Sequence, residues 1–409
     1  MIHRIASLSE NSASSRMLLI FSFTIFFWTL FEGSFSYLVP IVITQSGYSK
    51  TFMGILIASA SVFGAAFDLL LSKTFHNMHY RRMFLLMFIF CFIAPFLLLK
   101  NNPLFLYIAA MAFWGFYYDL SNYGESDFVG RTQNPKNHSK SSGIIWSFRA
   151  LGYTLSPIII GIVIANAIDF KPYLLMFLFI SISFLFFLYL AYYSKESPNF
   201  LTIPANKKIK TFPELILWKK IGIQLLPVLL MTAFFWIVDA FFWTIGPLIP
   251  QTLNINKEFQ GLFLTLYTIP PLFIGFIIGK ITHKLGKKRT AQFGCLIASL
   301  LLSTFLVITN PYLILIIVFF ASMFIALTIP ALNGAYTDYI SESSVYEKEI
   351  EALQDFSTNV GYIIGPIFAG FLADVTGNLH SFAFLGVFGI IITTLIMLIS
   401  PRHITIKVN

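Results

Sequence analysis

Charge is what this chain has least of. Only 11% of its 409 residues are Asp, Glu, Lys or Arg, 57% are hydrophobic, and the mean hydropathy is +0.79. A soluble domain of ordinary composition carries about 25% charged residues, so water is excluded as the solvent for most of this surface. Cysteine is nearly missing as well. Cys91 and Cys295 both fall inside apolar runs, which argues against a disulfide framework and against a cysteine-based metal site. No phosphate-binding P-loop pattern and no H-E-x-x-H or G-x-S-x-G pattern occurs, so direct ATP coupling and the common hydrolase chemistries have no support. The chain is expected not to be an enzyme and to need no cofactor or metal.

What fills the chain is apolar sequence in long runs. Aromatic residues make up 17%, with 47 Phe, which suits lipid-facing and interfacial positions. Crossing roughly 30 Å of hydrocarbon takes about 20 residues. Twelve runs qualify: 17–43, 51–73, 83–99, 103–129, 141–165 and 172–194, then 221–250, 258–281, 290–309, 311–340, 348–373 and 379–400. The stretch 195–216 is the longest polar, Pro-containing one and reads as a cytosolic linker between six-span halves at 17–194 and 217–400. Residues 1–16 carry Arg4 and Arg16 without a secretory cleavage pattern and read as a cytosolic tail, as do 401–409.

The basic residues set the orientation. With the N-terminus inside, cytosolic loops and tails hold 22 of the 27 Lys and Arg, and the opposite side holds Lys50, Lys100, Lys171 and Lys257. Arg149 lies within a span. This is the positive-inside pattern, with both termini cytosolic. It accounts for the net charge of +9, and nucleic acid drops out as a partner. The expected surroundings are a lipid bilayer, that of the cell (inner) membrane.

The halves repeat one another. GYTLSPIIIG at Gly152 to Gly161 returns as GYIIGPIFAG at Gly361 to Gly370, an offset of 209 residues. Asn122 to Asp127 in span 4 matches Asn333 to Asp338 in span 10 at an offset of 211, and FFW at 26–28 returns at 234–236. Gly64-Ala-Ala-Phe-Asp68 closes span 2, Arg81-Arg82 opens span 3, and Gly286-Lys-Lys-Arg289 precedes span 9. Parallel six-span repeats joined by such loops resemble the major facilitator superfamily over essentially the whole chain. Its loop signature, a Gly and an Asp followed by a glycine and basic residues, is incomplete here: no Gly precedes Arg81, and Gly279 stands at the second Asp position. The repeated Gly-Pro stretch resembles the fifth-span signature of the superfamily's antiporters, with Ser156 in place of the Gly before Pro157. The resemblance implies an all-α membrane fold of twelve transmembrane helices in two six-helix repeats. It also implies that Asp68, Arg81 and Arg82 act as gating residues at the cytosolic helix ends, with Asp338 doing similar work.

Charged residues within spans ask for a reason, since each costs about 2.5–3.5 kcal/mol at the bilayer centre on insertion scales. Glu32 shares a stripe with Thr24, Trp28 and Ser36, and Asp239 one with Thr232, Trp236 and Trp243; both stripes suit an interior cavity. The two acids are one residue apart in the repeat. Each is either a proton or substrate group or a packing hydrogen bond. Asp119, Asn122, Tyr123 and Ser126 share one face of span 4, while Glu125 and Asp127 point to other sectors. Arg149 in span 5 sits at the depth of Glu125 and Asp127 and is expected to pair with one of them, or else to meet an anionic substrate group. Ser142, Trp146, Arg149 and Tyr153 form a further stripe, answered in span 11 by Asp355, Thr358 and Tyr362. Tyr153 and Tyr362 offer matched hydroxyls or ordinary packing. Trp28, Asn122, Trp146, Trp236, Trp243 and Thr358 are the expected cavity lining.

Taken together, these residues suggest a secondary active transporter of a small molecule, working by alternating access as a monomer, with protons as the coupling ion. The fifth-span resemblance favours export of an amphipathic compound. Asn122, Gln354 and Asn359 favour the other direction, a symporter importing a sugar or other metabolite. A membrane sensor or assembly protein on the same fold is the third reading. An intramembrane protease is the weakest: Tyr118-Asp119 is similar to half of such a site, and the Gly-x-Gly-Asp half is missing.

Overall fold

Buried in hydrocarbon, a backbone has to satisfy its own hydrogen bonds, and a continuous helix does so within one segment. The computed structural model describes residues 2–74, 78–134, 137–164, 168–193, 211–253, 259–275 and 277–401, with side chains omitted at 2–13, 69–74, 139, 211–216 and 344. Most of the 195–216 linker, the Arg4 side chain and residues 402–409 lie outside that description. Among the described residues the regular structure is entirely helical.

The first six spans are single helices: α1 (Ile2–Gln45), α2 (Lys50–Thr74), α3 (Tyr80–Leu97), α4 (Leu104–Thr132), α5 (His138–Ile164) and α6 (Lys171–Tyr193). The later spans are more broken. Helix α7 (Thr211–Ile245) starts inside the stretch read as linker and passes through a short 3-10 turn at Gly246–Leu248 into α8 (Ile249–Leu253). The eighth span is split into α9 (Leu262–Ile274), which carries Pro270 and Pro271, and α10 (Ile278–Leu285), bent from it by 74°. Then come α11 (Lys287–Ser303), α12 (Pro311–Ile325), α13 (Thr328–Glu342), α14 (Glu347–Thr376) and α15 (Asn378–Ile399). The break between α12 and α13 leaves Pro330 in the first turn of α13, where its missing N–H breaks no helical bond. Among the described residues eleven helices are long and apolar enough to cross a membrane, or twelve when the bent pair counts as one. The chain is a multi-pass integral membrane protein.

The helices sort into two compact units. One holds Met1–Tyr48, Ser59–Ile203 and Lys257–Gly261; the other holds Ser49–Ala58, Pro204–Asn256 and Leu262–Asn409. The start of α2 therefore groups with α14 in the second unit. There Asp374 accepts hydrogen bonds from the backbone N–H of Lys50 and Thr51, at 3.1 and 2.7 Å. An acid at that helix N-terminus complements its unsatisfied donors.

Within each unit the repeated stretch presses its helix onto the unit's first helix. A Cβ on Gly152 of α5 would lie 2.8 Å from Thr29 Cβ and 3.0 Å from Phe26 O on α1. A Cβ on Gly361 of α14 would lie 2.5 Å from Trp236 Cβ and 2.8 Å from Ala233 O on α7. These are equivalent contacts at an offset of 207 residues along the first helices. The shared FFW is thus one residue out of structural register, and the expectation that Glu32 and Asp239 differ by one position is corrected: packing makes them counterparts. The Ser156 departure finds its reason one turn further along. A Cβ on Gly33 would collide with Ser156 Oγ, whereas in the second unit Ala240 carries the Cβ and Gly365 makes room, since a Cβ there would lie 2.7 Å from that of Ala240. Large meets small in both units, with the roles exchanged.

Gly33→Ala is therefore expected to lower the unfolding temperature, since overpacking costs about 1–3 kcal/mol. Adding Ser156→Gly is expected to restore most of the loss by recreating the Ala240/Gly365 arrangement. Thermal unfolding of both single variants and the double variant measures the coupling; strictly additive losses would refute it.

Candidate functional site

In the first unit, α1 is the helix that the others wrap, and its Thr24–Trp28–Glu32–Ser36 stripe turns inward. Glu32 is 3% exposed. Its Oε1 accepts from Ser36 Oγ at 2.8 Å and from Trp114 Nε1 on α4 at 3.2 Å. The close approach of α5 at Gly152 brings Tyr153 alongside α1 beside the same carboxyl, its ring 3.4 Å from where a Cβ on Gly33 would stand. Trp28 is fully buried, so the expectation that it lines a cavity is corrected. Packing against α4 and α5 closes this stripe on itself.

Arg149 on α5 is the buried cation of this unit, also 3% exposed. Its Nη2 pairs with Glu125 Oε2 at 2.5 Å and its Nη1 reaches Asn122 Oδ1 at 3.4 Å. Glu125 and Asn122 thus face the same way, one turn apart on α4, and the assignment of Glu125 to a different sector is corrected. The guanidinium carbon lies 5.2 Å from the Trp28 ring centre and 5.6 Å from that of Trp146, so the cation sits between two indoles. Trp146 is 59% exposed and Asn122 is exposed. Through these two residues the cluster reaches the surface of its unit.

The second unit repeats the carboxyl and changes its surroundings. Tyr267 of α9 donates to Asp239 Oδ1 at 2.7 Å, and Tyr362 of α14 donates to Oδ2 at 3.1 Å. Trp236 lies against Tyr362, with ring centres 5.0 Å apart, and Phe242 stacks on Tyr267 at 4.0 Å. Asp239, Trp236 and Tyr362 are all partly exposed, unlike Glu32. Trp243, further along α7, is half-buried. Where the first unit has Arg149, the second has Thr358, whose hydroxyl donates to the Gln354 carbonyl at 3.2 Å. Gln354 in turn donates to Asn333 Oδ1 at 3.0 Å. Tyr153 and Tyr362 occupy matched repeat positions, each beside the acid of its own unit, and Tyr362 donates to its acid directly.

Two acids expected in the pathway lie elsewhere. Asp119 packs against Gly64 of α2, where a Cβ would come within 2.6 Å of its Oδ2, and it sits near Asp68. Asp127 accepts from Tyr80 N at 2.8 Å and pairs with Arg131 at 2.7 Å, so it anchors the start of α3. Its counterpart Asp338 pairs with Lys287 Nζ at 2.6 Å, at the start of α11. Lys287, a loop cation by topology alone, therefore has a specific partner. Of the residues assigned to gating, Arg81 lies 6.0 Å from the Tyr80 ring centre and Arg82 is exposed. Trp114 and Tyr267 were missed altogether. A search by internal symmetry could not find them, because their repeat positions hold Ile325 and Ala60. Among the described residues no three His, Cys, Asp or Glu side chains converge as a metal site requires.

Residues 228–407 match the family model described as Major Facilitator Superfamily. No curated protein sequence matches the chain significantly. Among solved structures, the chain is similar to a bacterial homolog of the human lysosomal transporter Spinster in an inward-facing, unoccupied conformation. There the TM-score is 0.75 at 14% identity, over 94% of this chain and 96% of that one. A POT family transporter in complex with a thioalcohol-conjugated peptide gives 0.75 at 16% identity, over 95% and 96%. The nucleoside transporter NupG gives 0.70 at 12% identity, over 93% and 98%. At these identities the likeness concerns the fold.

Removing one partner of a buried ion pair strands the other charge, at a cost of about 3–5 kcal/mol. Glu125→Gln is therefore expected to destabilise the purified protein strongly, and Arg149→Gln combined with it is expected to recover most of the loss. Unfolding temperatures of the single and double variants test this; equal stability of Glu125→Gln and wild type would show that the pair carries no weight.

Proposed function

We propose, from the match of residues 228–407 to the Major Facilitator Superfamily model and the likeness in fold to solved transporters, that the chain is a proton-coupled secondary transporter of small molecules, working by alternating access. One observation carries the reading: each unit holds a membrane-embedded carboxyl on its first helix, beside a tyrosine from the repeated Gly-Pro helix. The pairs are Glu32 with Tyr153 and Asp239 with Tyr362. An ionised carboxylate in a closed, apolar site is costly, and a proton removes that cost. A transporter that closes over such a group can thus be biased by its protonation. The tyrosine hydroxyls suit either state, because each can donate to a carboxylate or accept from a carboxylic acid.

The moving bodies in this proposal are the halves 17–194 and 217–400, in a monomer resident in the cell (inner) membrane with both termini cytosolic. The proposed direction is export of an amphipathic compound. Its support is the Gly-Pro helix, whose glycines set the packing in both units, together with the aromatic surroundings of Asp239. Import by symport is the second reading, favoured by the Gln354–Asn333 hydrogen bond and the exposed Asn122, polar groups of the kind a sugar or nucleoside engages.

Proteoliposomes under an imposed pH gradient test the coupling. Flux is expected to follow the gradient, and Glu32→Gln and Asp239→Asn are each expected to reduce gradient-driven flux at least tenfold while still inserting as folded protein. Flux indifferent to the gradient would remove protons from the mechanism. Folded protein that moves no solute of any class would favour the sensor reading.

A further inference from the structure

The two carboxyls differ in what they could meet. Glu32 is sealed and lies in the field of the Arg149 guanidinium. Asp239 is partly open, and the groups that hold it are neutral hydroxyls. Among the described residues no basic side chain pairs with it. Tyr267 and Tyr362 fix the orientation of both carboxylate oxygens and leave the negative charge uncancelled. The rings of Trp236 and Tyr362 stand beside it, with Phe242 behind Tyr267. An oriented anion flanked by aromatic faces is matched by a cation with an apolar body, because the ring quadrupoles and the carboxylate attract the same charge. For an anion the same features repel.

The approach along α14 has the same sign. Glu347, Glu351 and Asp355 follow one another at intervals of four residues, are exposed, and lie near enough to interact electrostatically. Asp355 and Tyr362 are seven residues apart, two turns, so this acidic stripe runs along α14 towards the tyrosine that holds Asp239. A row of one sign leading to a site raises the local concentration of the opposite charge. The stripe alone defines no site; the oriented carboxylate in its aromatic surround is what it leads to.

We propose that Asp239, with Trp236, Tyr267 and Tyr362, is a receptor for an organic cation, an amine or quaternary ammonium group carried on an apolar or aromatic body. The inference rests on the reading of this protein as a transporter and names its substrate class. Asp239 contacts the cationic centre, Trp236 and Tyr362 face its apolar substituents, and Tyr267 acts as a positioning residue through Asp239.

Equilibrium binding to the purified full-length protein tests this without requiring flux. The probes are tetraphenylphosphonium, the smaller benzyltrimethylammonium, and tetraphenylborate as an anion of the same shape as the first. At least one cation is expected to bind with at least tenfold higher affinity than tetraphenylborate. Asp239→Asn is expected to weaken it at least tenfold and Trp236→Leu more than Trp236→Phe, while Asp169→Asn, a half-buried acid just before α6 in the first unit, leaves it unchanged. Unfolding temperatures of the variants show whether each is folded, and Trp236→Phe against Trp236→Leu supplies the comparison if Asp239→Asn is not. Binding of neither cation, equal binding of tetraphenylborate, or cation binding unaffected by both substitutions would overturn the proposal. Failure of the transport reading looks different: cations bind at Asp239 and no flux follows.

Discussion

The geometry of both units depends on how closely the Gly-Pro helix can approach the first helix. In a membrane, helices gain little from hydrophobicity when they associate, and contact depends on small residues that let backbones near one another. Gly152 and Gly361 provide this at equivalent places. That separation sets Tyr153 and Tyr362, one residue further along, beside the carboxyls of Glu32 and Asp239. The polar chemistry is thus a consequence of packing, and a bulkier residue at either glycine would move the tyrosine before it touched the acid.

On that shared scaffold the units have diverged in charge. The first encloses a complete set, with Arg149 paired to Glu125 and held between Trp28 and Trp146. A buried pair of this kind contributes little net stability compared with apolar packing, so its presence in a membrane span fits a functional role better than a structural one. The second unit keeps an acid and offers only hydroxyls and rings around it. In the first unit the buried cation has its acid, while in the second Asp239 is left to be neutralised by something else.

Much of the plan was legible in the sequence because lipid imposes simple rules. Span length, positive-inside loops and the doubled Gly-Pro stretch led to the all-helical architecture, and the rarity of charge inside spans led to Glu32, Arg149 and Asp239. Faces were harder to assign. Glu125 was set apart from Asn122 by angular bookkeeping, yet a long Arg149 side chain reaches both. Burial was the second difficulty. A polar stripe on α1 looks the same in sequence whether it lines an opening or is packed shut, and only the fit against α4 and α5 shows that Trp28 is enclosed. Trp114 and Tyr267 were invisible for a third reason: the repeat points to residues the halves share, and these two are what each half has added alone.

The exchange of large and small between Gly33/Ser156 and Ala240/Gly365 makes each first helix and its Gly-Pro helix a matched pair. The units are therefore no longer interchangeable parts. A chimaera that grafts the α14 stretch into the α5 position would leave a gap against Gly33, and the reverse graft would drive a serine into Ala240. The smallest piece that could be exchanged between the units is a helix couple, and a single span is too small.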